Sequence, residues 1–149
     1  MSEEAKPTLL TFKALVLWQP WASWLVEGLK TEETRFWPTR YRGTLLVCAG
    51  KHLEVEALAL DPKGRPAEAY PRGQAIGTVL IVNCRPMRPE HAPGAMVAFD
   101  PERYAWQATA PRRFQMPFPV RGRQGLFDMT VTAAQLRAAL GTPQEPPRG

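Results

Sequence analysis

Apolar and polar positions alternate over residues 12–17 (FKALVL), which predicts a first strand. The period then changes: Trp21, Trp24, Leu25 and Gly28 recur at the i, i+3, i+4, i+7 spacing of one helical face, so a helix is expected to open at Pro20 and stop at Gly28, with Trp21 and Trp24 packing inward. Residues 31–37 (TEETRFW) read as a strand with Thr31, Glu33, Arg35 and Trp37 on one face and Glu32, Thr34 and Phe36 on the other. Arg42-Gly43 turns into residues 44–49 (TLLVCA), apolar without period, the pattern of a strand covered on both faces. Residues 52–60 suit a short helix, 61–73 a Pro/Gly-rich surface loop, and 75–84 (AIGTVLIVNC) form the clearest strand. After a polar loop over 85–102, residues 104–108 and 126–129 give two short strands around an arginine-rich connection. A Thr132/Gln135 capping pattern opens a last helix that ends at Gly141. This order predicts an α+β domain on a small, partly closed barrel of five or six strands over residues 11–130. A flexible arm (1–10), an appended helix (131–141) and a flexible tail (142–149) flank it.

Composition narrows the setting. The 149 residues suit one domain, and 44% hydrophobic with 22% charged residues is a globular balance. Sixteen prolines and eleven glycines punctuate short elements and disfavour a helical bundle. Cys48 and Cys84 form no CxxC pair, so neither a disulfide framework nor a thiolate zinc knuckle is expected. The acidic opening MSEEAKP is unlike a secretion signal, and no apolar run reaches membrane-spanning length, so a cytoplasmic protein is expected. His52 and His91 belong to no zinc pattern, and GxxxxGK[ST], GxGxxG after a strand and GxSxG are all missing, so no metal or cofactor is expected.

Charge adds candidate chemistry. Nineteen Lys plus Arg against fourteen Asp plus Glu give a net +5, a balance that favours polyanionic partners. Arg103, Arg112, Arg113, Arg121 and Arg123 fall in one stretch without an acid, which suggests phosphate contact or, more plainly, a solvated basic loop. Glu33 and Arg35, two apart on a strand face and about 6 to 7 Å apart at the backbone, are close enough to pair. Lys30 either compensates the carbonyl end of the first helix or meets a carboxylate at the rim of an aromatic pocket. Trp18, Trp37, Tyr41, Tyr104 and Trp106 lie at element ends or in short strands, where aromatics beside arginines such as Arg42 stack an unpaired base or pack the barrel edge.

The segments Trp18-Gln19-Pro20-Trp21-Ala22, Gly28-x-Lys30-Thr31-x-Glu33-x-Arg35-x-Trp37-Pro38 and Tyr41-Arg42-Gly43 resemble the ASCH domain, a branch of the PUA-like superfamily. Ala75-Ile76-Gly77-Thr78-Val79, Tyr104-Ala105-Trp106 and residues 111–127 follow in matching order, so the resemblance covers about residues 12–129. It implies a small PUA-like β-barrel flanked by helices, with a cleft that binds RNA or a nucleoside. Lys30, Glu33 and Arg35 would line it, Trp18, Gln19 and Trp37 would stand at its mouth, and Tyr104 and Trp106 would follow. Some members hydrolyse acetylated cytidine with a segment like Gly-x-Lys-Thr-x-Thr-x-Arg, whose second threonine is the nucleophile. Glu33 stands at that position here, and a carboxylate does not replace a lysine-activated alkoxide. Other relatives cleave RNA, for which Lys30 and Glu33 would serve as acid and base. The leading expectation is therefore binding of RNA, single-stranded nucleic acid or a modified nucleoside. The alternatives are a metal-independent hydrolase built on Lys30, Glu33 and Arg35, and a protein-interaction module.

Overall fold

The computed structural model describes residues 6–141, so the first five residues of the expected arm and the expected tail lie outside the described residues. Strands β1 (Leu9–Gln19) and β3 (Gly43–Leu53) run parallel at the heart of one sheet, with Leu15 paired to Val47. β4 (Gln74–Pro86) and β5 (Tyr104–Pro119) follow on one side, β2 (Glu32–Arg35) closes that edge, and β6 (Phe127–Thr132) closes the other. The order is β2-β5-β4-β3-β1-β6, with every pairing except β1–β3 antiparallel. The sheet curls into a half-barrel.

Two hydrophobic layers explain why the central strands read as they do. Leu15 and Leu17 of β1, with Leu45 and Val47 of β3, face α1 (Trp21–Glu27) and its Leu25 and Val26. The alternate residues Ala14, Leu46 and Cys48 face the opposite way, against Phe114, Phe127 and the helix we number α3 (Ala133–Leu140). A strand buried on both faces keeps no polar alternation. α1 ends where Gly28 takes a left-handed φ of 79° and its N–H returns to Leu25, as the helix-stop pattern predicts. α3 is capped by Thr132, whose hydroxyl accepts from the Gln135 N–H at 2.9 Å.

Several expectations change. β1 starts at Leu9, because Leu9 pairs with Thr132. The helix expected over 52–60 is instead the end of β3 followed by a 3-10 turn, Val55–Leu60. The arginine-rich connection is largely β5, which pairs with β4 along its length with three register irregularities, two of them at Pro111 and Pro117. The loop over 85–102 contains a 3-10 turn (Pro89–His91) and a single helical turn, α2 (Ala92–Ala95). Among the described residues no helix is long and apolar enough to cross a membrane.

The loop over 61–73 is tied to α1 by an ionic network. The Arg65 guanidinium grips Glu27 at 2.7 and 2.9 Å and donates through Nε to Asp61 at 2.9 Å, and Tyr70 donates its hydroxyl to Asp61. The Arg65 hydrogen bonds hold the Asp61 carboxyl well below the usual carboxylate range. Burial pushes Glu27 up, but hydrogen bonds from Arg65 and Lys63 outweigh it and the net shift is downward. Carboxyls depressed in the folded state stabilise it above their unfolded value of about 4 and lose that contribution as pH falls. Thermal melts between about pH 5 and pH 2 should therefore show a steeper loss of stability for this protein than for Asp61→Asn, which should be less stable at neutral pH. Equal slopes would contradict the network's role.

Candidate functional site

The turn after α1 sets the site. Beyond Gly28 the Lys30 N–H donates to Trp24 O at 3.1 Å, folding the chain back under the helix, and Thr31 is held between Gly94 O and the Ala108 N–H. Lys30 is thereby driven inward and is 2% exposed. Its Nζ donates to Ala95 O at 2.5 Å and lies 3.5 Å from Glu33 Oε1. Burial pushes the Lys30 ammonium below its ordinary range, Glu33 pulls it back by charge and hydrogen bond, and Arg35 and Arg103 add to the lowering.

β2 carries the other two ionic groups in register with β5, Glu33 opposite Trp106. Glu33 Oε1 accepts the Thr34 N–H at 3.0 Å, and Oε2 accepts Arg35 Nε at 3.2 Å and Nη2 at 3.0 Å. Arg35 Nη2 also donates to Val16 O at 2.9 Å. A relay thus runs from Ala95 O through Lys30, Glu33 and Arg35 to β1. Both Glu33 oxygens are occupied, and the group this relay presents outward is the Arg35 guanidinium, whose side chain is 26% exposed.

Arg35 stands where two clefts adjoin. The smaller, about 390 Å³, has Lys30 and Glu33 at its base, aromatic walls from Trp18, Trp21, Phe36 and Trp37, and Arg103 at its edge. The larger, about 1060 Å³, shares Trp18, Arg35 and Trp37 and continues past Lys51, Arg121 and Arg123. The loop carrying the last two passes so close to β1 that a Cβ on Gly122 would lie 2.9 Å from Val16 Cγ2. Among the described residues Lys51, Arg121 and Arg123 enter no ion pair. No group of three or more His, Cys, Asp or Glu among them could hold a metal ion.

Of the aromatics expected at the mouth, Trp18 is 56% exposed and tilts against His52, while Trp37 meets Trp106 edge to face at 4.8 Å. The other residues expected at the site are placed as follows. Gln19 is fully buried, its amide spent on Ser23 Oγ and Pro71 O, so it cannot stand at a mouth. Trp106 is fully buried with its indole N–H toward Trp37 O, and so offers no free face for stacking. Tyr104 packs against the core and lines neither cleft. Tyr41 donates to Thr44 O and Arg42 to Thr39 O and Tyr41 O, local clamps away from both clefts. Arg112 and Arg113 lie opposite Thr78 and Gly77 on β4, and Arg113 reaches Glu27 at 3.5 Å. Trp21, expected to be core, donates its indole N–H to Met96 O at 3.2 Å and forms a cleft wall. Lys51 was not foreseen, because the expected strand stopped at Ala49 before a helix over 52–60, whereas β3 runs on to Leu53 and carries Lys51 out of the core.

Comparison with known proteins agrees with this architecture. A family model described as the ASCH domain matches residues 15–118. Activating signal cointegrator 1 of Mus musculus is 29% identical over 127 residues, 77% of this chain and 22% of its own length. The Homo sapiens protein of that name is 28% identical over 123 residues, 74% of this chain and 21% of its own. The chain thus spans about a fifth of the length of these curated relatives. The crystal structure of ASCH from Zymomonas mobilis is similar in fold, with a TM-score of 0.52, 14% identity, and coverage of 72% of this chain and 73% of that one. With the matched region running from β1 through the Lys30–Arg35 segment to the end of β5, the chain belongs to the ASCH domain family.

Proposed function

We propose that this chain binds single-stranded RNA, or a modified nucleoside within it, with a base against the aromatic walls of the smaller cleft and neighbouring phosphates along Lys51, Arg121 and Arg123 in the larger. The observation that carries the reading is Arg35, fixed by Glu33 at the junction of the two clefts and flanked by Trp18 and Trp37. A flat apolar wall beside unpaired cations suits an unstacked base joined to phosphate. The PUA-like fold of ASCH domains, often associated with RNA binding, supports it. On this reading its setting is the cytoplasm, where the two free thiols, Cys48 and Cys84, would stay reduced.

Titration of labelled single-stranded RNA across a salt series tests the reading. Each phosphate neutralised on a single strand contributes a slope of about −0.7 in log K against log salt, so three rim cations predict about −2. Binding that ignores salt would refute it. The hydrolase alternative needs Glu33 as a free base, yet both carboxylate oxygens are engaged, so binding is the reading that the geometry favours. Chelator-resistant RNA turnover abolished by Glu33→Gln would reverse that preference.

A further inference from the structure

The smaller cleft is lined by groups whose hydrogen-bonding capacity is lopsided. Several of its acceptors are engaged inside the protein: Val16 O by Arg35, Thr34 O by Arg103 at 3.5 Å, and both Glu33 oxygens by Arg35 and the Thr34 N–H. Met96 O and Ala95 O behind it are taken by Trp21 and Lys30. Donors remain. Arg35 uses Nε and Nη2, and Arg103 uses Nη1 on Thr34 Oγ1 at 3.2 Å and turns Nε toward Asp100 at 3.8 Å. Among the described residues Arg35 Nη1 and Arg103 Nη2 have no partner. Arg103 is also held in place, its guanidinium lying 4.3 Å from the centre of the Phe36 ring. Two anchored guanidinium groups with spare N–H bonds therefore flank an aromatic slot.

We infer that the smaller cleft selects a base with carbonyl acceptors on its edge, uracil or a 6-oxopurine, over cytosine and adenine, whose amino groups would face donors; this rests on the proposed RNA-binding reading. Arginine pairs with carbonyl and ring-nitrogen acceptors, while an exocyclic amine brought to the same place sets donor against donor and leaves both unpaired. Arg103 is then a specificity-determining residue, and Lys51, Arg121 and Arg123 supply affinity without reading sequence.

Short uniform oligoribonucleotides of uridine, cytidine, adenosine and inosine, titrated at one salt concentration, test this. Uridine should be preferred over cytidine and inosine over adenosine by about tenfold. Arg103→Gln should bring both ratios toward unity without changing the salt slope, while Arg121→Gln should lower the slope by about 0.7 and leave the ratios intact. Tight binding without base preference would overturn the inference and leave RNA binding standing, as would a slope that falls in Arg103→Gln. Failure of all four oligomers to bind would overturn the proposed function with it.

Discussion

Replacing Glu33 with leucine is expected to cost about 3 to 5 kcal/mol, the usual consequence of leaving a buried charge without its partner. Lys30 would keep Ala95 O but lose its counter-charge at 2% exposure, and Arg35 would lose two of its three hydrogen bonds. For a chain of this size the melting temperature should fall by on the order of 10 °C. The double variant Lys30→Met/Glu33→Leu should recover most of that loss, because an ion pair replaced by apolar groups of similar volume is often neutral. A single variant within about 1 kcal/mol of the parent would show that the relay does not hold the site together.

Charge reversal at Arg121 and Arg123 together is expected to weaken RNA binding by on the order of a hundredfold, uniformly across sequences, and to make the salt slope shallower by about 1.4. Arg112→Glu/Arg113→Glu, which changes net charge by the same amount away from both clefts, is the matched control. Their positions opposite Thr78 and Gly77 put them outside both clefts, so their effect should stay below about threefold. Equal losses from the two changes would mean that net charge, rather than the clefts, governs association.

The contrast between those arginines shows what a linear reading can carry. Elements with local signals were legible: the α1 stripe and its Gly28 stop, the Thr132 cap of α3, and a central strand whose missing period reported burial on both faces. β5 was hidden because Pro111, Pro117 and Pro119 near paired arginines imitate a loop, whereas the strand accommodates Pro111 and Pro117 at register irregularities, with a left-handed Ala110, and pairs Pro119 with Gln74 at its end. Pairing of Glu33 with Arg35 was expected from spacing, because period two puts both on one strand face, whereas Lys30 was placed beside them only by the family resemblance. Depth was not legible. Gln19, next to Trp18 in the chain, and Trp106, opposite Glu33, lie beneath the chain, and whether a side chain ends in solvent depends on which distant segments cover it. Lys51 and Arg121 line the same larger cleft although they are far apart in sequence, a juxtaposition that the sheet topology creates.

The five tryptophans allow the most direct measurement, since each indole N–H gives its own signal in a nitrogen-labelled protein titrated with short single-stranded RNA. The account predicts that Trp18 and Trp37, shared by both clefts, and Trp21, in the smaller one, shift with saturation, while the buried Trp24 and Trp106 move far less. Saturable binding that leaves the cleft indoles unmoved, with shifts gathered instead on β4 and β5 around Arg112, would contradict it.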